Sequence, residues 1–325
     1  MAKKQIFLGV DMDSVSIRGV RLAFDPDKGA QSGWKLLSTA EIDGGDLLDD
    51  ANTVAALKKL REKLGARQTD RVSICLSGKQ TYVAQMDARM LPDEDMADML
   101  RLELRKSMPF QPSAATIDYQ VFPTEQSGGG NADSAGVSVM VSAATDSYFE
   151  RQVNIFGKAG LPPCNVGVLP ISAANAFWAA CGDGSAEPEE SVLILHFGTD
   201  VCTVVIDGRN TPFFSRAFAF NIALAVGEDD TQESDDKTVD TTSTIDILAG
   251  EVTKSANYYK NTYRVNGVSS IFMLGKCASH MALDGLVKKT GYPTRVVQTA
   301  SLVQTAKPLE QGKYDLAITL AMQAA

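Results

Sequence analysis

Leu8-Gly9-Val10-Asp11-Met12-Asp13-Ser14 and Leu193-Ile194-Leu195-His196-Phe197-Gly198-Thr199 share one layout. Each runs apolar strand, polar residue, apolar residue, turn, and then a hydroxyl-bearing return strand. In the first copy Gln5 to Val10 is a strand, Asp11 to Ser16 a turn, and Ile17 to Phe24 an extended return. In the second, Val192 to Leu195 and Cys202 to Ile206 flank the turn. Glycine in the turn lets the backbone approach closely. One hairpin alone is weak evidence. Two copies in separate halves, with a later strand–glycine–helix unit at Ile271 to Thr290, predict a two-lobed α/β protein.

The rest of the chain fits that frame. It has 325 residues, which is long for one core, and 44% apolar residues are enough to fill two lobes. No apolar run reaches the roughly 18–20 residues that a spanning helix needs. The start, Met1-Ala2-Lys3-Lys4-Gln5, leads directly into a strand and shows no apolar leader or cleavage site, so a cytosolic location is expected. Net charge is −9, which disfavours binding to a phosphate backbone, and no nucleic-acid partner is expected. Seven acids and one lysine between Glu228 and Asp240 supply −6 of that charge. Their spacing is not that of a calcium loop, so they read as a solvated acidic loop and no metal site is predicted. The five cysteines form no C-x-x-C pair; Cys75 and Cys202 lie in apolar runs and read as small buried hydrophobes in a reducing compartment.

Helix signals follow the apolar spacing. Val54, Leu57, Leu60 and Leu64 line one face of a helix over Asn52 to Leu64 that stops at Gly65. Met96, Met99, Leu100 and Leu104 line another that Pro109 ends. With strands at Tyr82 to Arg89, Ile117 to Phe122 and Val137 to Val141, the polar loop Gln126 to Asn131 and a helix from Asp146 to Ala159, this block reads as a compact α+β insert. Further helices are expected over Val166 to Ala180, Thr244 to Tyr263, His280 to Thr290 and Asp315 to Gln323, with Pro212 to Phe220 as a strand. The predicted first lobe is 1–75 with 166–188 and 314–325. The insert is 76–165, and the second lobe is 189–313 including the acidic loop 228–240.

Two such hairpins and this order of elements resemble the two-lobed ATPase fold of actin, Hsp70 chaperones, FtsA and sugar kinases. More narrowly, the chain resembles the PilM family, the actin-like cytoplasmic proteins of type IV pilus assembly. Arg101-Leu102-Glu103-Leu104-Arg105-Lys106-Ser107-Met108-Pro109-Phe110 with Ile117-Asp118-Tyr119-Gln120-Val121 looks like that family's helix, its Ile-Pro-Phe stop and its Asp-Tyr-Gln strand. Glu251 to Tyr259 looks like its Glu-Ile-x-Arg-Ser-Leu-Asp-Tyr-Tyr helix, and Tyr314 to Leu320 like its closing helix. The resemblance implies an actin-like fold with an inserted α+β subdomain of the SHS2 kind.

It also implies a nucleotide site at Asp11, Asp13, Ser14, Gly198, Thr199, Lys254 and Gly275, and this chain departs from the family there. Asp13 stands where the family's Asp-Ile-Gly-Ser has glycine, and His196 where its second hairpin has aspartate. Gly275-Lys276-Cys277-Ala278 replaces a glycine-rich adenosine loop, and Ser215-Arg216 is followed by Phe220-Asn221 in place of a glycine pair. A carboxylate about 4 Å from a phosphate oxygen costs on the order of 4 kcal/mol at an effective dielectric of 20, about a thousandfold in affinity. Ligation of magnesium by Asp13 would recover part of that cost. The expectation is therefore a vestigial site with weak or lost ATP binding, no catalytic residue, and neither ATP nor Mg2+ as a resident cofactor. His196 is expected to be a satisfied, semi-buried histidine, and Ser215-Arg216 a plain strand end.

By this resemblance the chain is a scaffold at the inner face of the inner membrane. It would bind the N-terminal cytoplasmic segment of a single-span partner in the role of PilN, in a groove between the first lobe and the insert. That would link the inner-membrane platform and motor of the pilus through partners. Two other readings stay open. One is an ATP-switched actin-like protein whose nucleotide state sets partner affinity. The other is the cytoplasmic part of a type II secretion assembly protein, although such proteins continue into a membrane span and this chain stops at Ala325.

Overall fold

The computed structural model describes residues 5–29, 32–123, 136–182, 190–221, 241–275, 278, 283–306, 308–310 and 312–325. The predicted loop Gln126 to Asn131, the acidic loop, and Lys276, Cys277 and His280 lie outside the described residues. Contacts divide the chain into two compact units, one of Met1–Cys75 with Ile155–Ala325 and one of Leu76–Asn154.

The larger unit holds two five-stranded sheets of the same design. In the first, β1 (Gln5–Met12), β2 (Ser16–Phe24), β3 (Trp34–Asp43), β4 (Arg71–Leu76) and β8 (Pro163–Val168) lie in the order β3-β2-β1-β4-β8. In the second, β9 (Ser191–Phe197), β10 (Val201–Asp207), β11 (Phe214–Ala219), β12 (Val268–Gly275) and β13 (Thr294–Val296) lie in the order β11-β10-β9-β12-β13. In each, the leading hairpin is antiparallel and the next strand in the order adds in parallel, β4 beside β1 and β12 beside β9. The repeat seen in the sequence is thus a repeat of whole sheets.

Helices cover the sheets. Helix α1 (Asp50–Leu64) begins at Asp49, whose carboxylate accepts the Asn52 N–H, and ends at Gly65 in the left-handed region at φ +61°. Leu57, Leu60 and Leu64 sit with Ile17, Ile74 and Val72 in the core beneath it. The closing helix (Asp315–Gln323) lies on β1, with Ala317, Ile318 and Ala321 in one core with Phe7, Val20 and Trp34. Gly9 permits that approach, since a Cβ there would stand 1.9 Å from the Ala317 carbonyl oxygen. Helix α4 (Leu169–Cys181) reaches the second sheet. The Phe177 ring packs on Phe272 at 4.5 Å, and Trp178 Nε1 donates to Asp207 at 2.7 Å. The second core gathers Leu193, Leu195, Val204, Ile271 and Met273 with Leu248, Val252 and Tyr259 of the helix Thr241–Tyr263.

The smaller unit is a three-stranded antiparallel sheet, β5 (Thr81–Arg89), β7 (Gly136–Thr145) and β6 (Ala115–Pro123), in the order β5-β7-β6. Helix α2 (Asp93–Leu104) packs Met96, Leu100 and Leu104 against Val139 and Val141. The apolar stripe read from the sequence is core.

Several expected boundaries move. Val166 opens no helix; Pro163–Val168 is the edge strand β8, and the helix starts at Leu169 with Pro170 in its first turn. Residues 155–165 belong with the larger unit, because Ile155, Phe156, Ala159 and Leu161 are buried in the α1 core. The helix expected from His280 is described from Leu283 to Thr290. Cys202 is buried, while Cys75 is only partly covered.

Candidate functional site

The two hairpin turns meet. Asp13, Ser14 and Val15 form the first turn, and the Asp13 N–H donates to the Ser16 carbonyl at 3.0 Å. Gly198, Thr199 and Asp200 form the second, closed by the Gly198 N–H on the Val201 carbonyl at 2.9 Å. Ser14 Oγ donates to Asp200 Oδ2 at 2.9 Å, and Thr199 Oγ1 donates to Asp13 Oδ2 at 2.9 Å. These two bonds join the hairpins directly.

The Asp13 carboxylate is the hub. Its Oδ1 accepts the N–H of Val15 at 2.9 Å and that of Ser16 at 2.8 Å, and the Ser16 hydroxyl lies 3.2 Å from Oδ2. Arg18 Nη2 donates to Oδ2 at 3.0 Å. Arg18 also grips Asp11 through Nε at 3.0 Å and donates from Nη1 to Ser16 Oγ at 3.1 Å. The antiparallel register of β1 and β2 places Asp11 opposite Arg18, so the pair is a cross-strand consequence of the hairpin. Arg18 is 2% exposed. Burial alone would lower its pKa, but Asp11 and Asp13 outweigh that and raise it. Burial likewise pushes the Asp13 carboxyl up, but the Arg18 charge, the Val15 and Ser16 N–H groups and the Thr199 hydroxyl together hold it below the ordinary range. Asp13 and Arg18 are thus each held in the charged form.

His196 occupies the place in β9 that Asp11 holds in β1. It is 4% exposed, and neither ring nitrogen has a hydrogen-bond partner among the described residues. The sequence reading had it satisfied and half-buried. It lies between β10 and β12, opposite Thr203 and Leu274, which closes it off from water. Burial lowers its pKa, so the ring is neutral; Asp11 and Asp13 pull the other way and Arg18 reinforces the drop.

Gly275 ends β12 at φ +102°, and a Cβ there would stand 2.4 Å from the Phe197 carbonyl oxygen. It therefore sits against the root of the second turn. The Asp315 carboxylate at the start of the closing helix accepts the Thr299 hydroxyl at 2.7 Å. Burial raises its pKa to about 6, against the Thr299 and Gly275 groups that hold it down. Lys254 belongs to a different network, with Nζ on Glu251 at 2.7 Å. Glu251 also pairs with Arg216, whose Nε donates to Ser255 at 2.9 Å. Arg216 is therefore the middle of a cross-element network and not a strand end.

Of the residues singled out in the sequence, Asp11, Asp13, Ser14, Gly198 and Thr199 converge. Gly275 adjoins them through Phe197. The ion pair of Lys254 is with Glu251 instead. Sequence reasoning missed Arg18, Asp200 and Asp315. Counting outward from the first turn would have found Arg18, the return-strand charge that falls opposite Asp11. A triphosphate with magnesium does not fit this arrangement: the Val15 and Ser16 N–H groups, the Ser16 hydroxyl and the Arg18 guanidinium are spent on Asp13, the Ser14 hydroxyl on Asp200, and Asp11 is tied to Arg18.

No family model matches the sequence, and no curated protein matches it. Solved structures do match. A chain of the "PilM-PilN type IV pilus biogenesis complex" aligns over 98% of this chain and 98% of its own length, with a TM-score of 0.77 and 17% identity. The chain has the actin-like ATPase fold. The ethanolamine utilization protein EutJ from Carboxydothermus hydrogenoformans aligns over 99% of this chain and 90% of its own, with a TM-score of 0.50 and 10% identity. The cytoplasmic domain of EpsL, from the type II secretion system of Vibrio cholerae, reaches a TM-score of 0.43 at 11% identity over 98% of this chain, too distant to carry an argument. No helix among the described residues is long and apolar enough to cross a membrane.

Proposed function

We propose that this protein is a docking scaffold of type IV pilus assembly. In this reading it works on the cytoplasmic face of the inner membrane and receives the N-terminal segment of a single-span partner in the role of PilN. Partners then connect it to the inner-membrane platform and motor. The observation that carries the reading is the alignment to a PilM–PilN complex chain over 98% of both lengths. The first hairpin supports docking over catalysis, because Asp13 spends its donors internally. In the insert, β5 and β6 each have a single strand neighbour among the described residues, the kind of edge to which an extended peptide adds by backbone bonds.

The test is direct. Fluorescently labelled N-terminal peptides of single-span inner-membrane proteins encoded near this chain are titrated with the full-length protein. Saturable binding by one of them, lost when its sequence is scrambled, is the expected result. Failure of every such peptide to bind, with the protein folded, removes the proposal.

A further inference from the structure

We propose that Asp13 is an internal ligand: its carboxylate fills an oxyanion site shared by the two hairpins, and a phosphate-bearing ligand can enter only where that carboxylate is removed. The donors are the backbone N–H groups of Val15 and Ser16, the hydroxyls of Ser16 and Thr199, and the Arg18 guanidinium. A pair of turn N–H groups with hydroxyls and a guanidinium is a set suited to an oxyanion. Here the anion is covalently part of the chain.

Three further observations make the site more than a capped turn. Arg18 is 2% exposed and fixed by Asp11 as well, so the cation stays in place when Asp13 changes. Thr199 comes from the other hairpin, so the carboxylate bridges the two sheets as a bound ligand would. His196 is buried with both nitrogens unpartnered among the described residues, and it lies within the electrostatic field of Asp11, Arg18 and Asp13. With Asp13 present, two carboxylates face one guanidinium and an added phosphate meets net repulsion. Without it, Asp11 alone faces Arg18, and the donors are released, with Asp200 the carboxylate left in the second turn. The inference deepens the docking reading by naming what holds the hairpins shut. Its test uses no peptide, so each can fail while the other stands.

The experiment is calorimetric titration of pyrophosphate, and separately of magnesium-ATP, into the full chain. The wild type and Asp13→Asn, whose amide still fills the space, are expected to give no saturable binding below millimolar. Asp13→Gly and Asp13→Ser are expected to bind pyrophosphate at least about tenfold more tightly than the wild type. Micromolar binding of either probe by the wild type overturns the proposal. So does the absence of any gain in Asp13→Gly and Asp13→Ser that retain the wild-type circular dichroism. If neither variant folds, amide exchange on the intact chain decides. Val15 and Ser16 should be protected with no anion added and unchanged by millimolar pyrophosphate; protection that appears only with pyrophosphate contradicts the proposal.

Discussion

The two hairpins share a backbone and differ in what fills it. Each turn has three residues, each is closed by the N–H of its first residue, and each lies in a sheet of the same strand order. In the first, the polar residue before the turn is Asp11, paired with Arg18, and the turn opens with Asp13. In the second, the same places hold His196, which faces Thr203 in register, and Gly198, which has no side chain. The first turn opens on a carboxylate gathered in by its neighbours; the second opens on a bare glycine and is backed by a ring without a hydrogen-bond partner among the described residues. The difference separates a shared backbone frame, set by strand order and turn length, from the one or two side chains that fill it.

Replacing Arg18 tests this contrast most strongly. Arg18→Leu leaves Asp11 and Asp13 side by side without their cation and should cost about 3–5 kcal/mol in urea unfolding. Adding Asp11→Asn and Asp13→Asn should recover part of that loss. At the corresponding register place of the second hairpin, Thr203→Val should cost only about 1 kcal/mol. An equal cost at the two positions would mean that the charge cluster is not what distinguishes the hairpins.

Gly9 and Ile194 stand at equivalent places, four residues before Asp13 and Gly198. Gly9→Ala forces a methyl into the closing helix and should cost about 3 kcal/mol, the upper end for overpacking. Ile194→Val, which only trims a buried side chain, should cost about 0.5–1.5 kcal/mol. Thermal melts of the two variants rank them; the reverse order would show that the closing helix does not need the bare strand.

Asp315 sharpens the comparison through pH. Its folded pKa of about 6 lies above the ordinary 3.8, so the folded chain holds this proton more tightly than the unfolded one. Its contribution is fully present below about pH 4 and is lost as pH rises through about 6, on the order of 2–3 kcal/mol. His196, lowered by burial, works oppositely over part of that window, so the wild-type curve alone is a difference of two slopes. Asp315→Asn should abolish the downward component between pH 4 and 7. A melting curve with the same pH slope in both proteins would refute that assignment. The smallest effect is expected at the solvent-exposed Ser14–Asp200 bond, where Ser14→Ala should cost less than about 1 kcal/mol and leave the Thr199–Asp13 bond intact.

Much of the architecture could be read before any coordinates. The repeated hairpins gave two lobes, and the stripe at Met96, Leu100 and Leu104 gave the helix of the insert. Strand β8 could not be separated from the helix that follows, because Val166, Gly167 and Val168 are apolar or small and run directly into Leu169 and Pro170. Periodicity does not resolve such a junction. In the site, the departure of Asp13 from glycine was legible, and its meaning was not. A carboxylate among phosphate-binding groups reads as repulsion until Arg18, Val15, Ser16 and Thr199 are seen to converge on it. Those partners depend on hairpin register and on the approach of a turn 186 residues away, which no local pattern carries.

The most direct test is a crystal structure of the wild-type chain grown with magnesium-ATP in excess. The account predicts the Asp13 carboxylate in the turn, on Val15, Ser16, Arg18 and Thr199, with no nucleotide between the hairpins. An ordered triphosphate there, with Asp13 turned away or holding the metal ion, would contradict it.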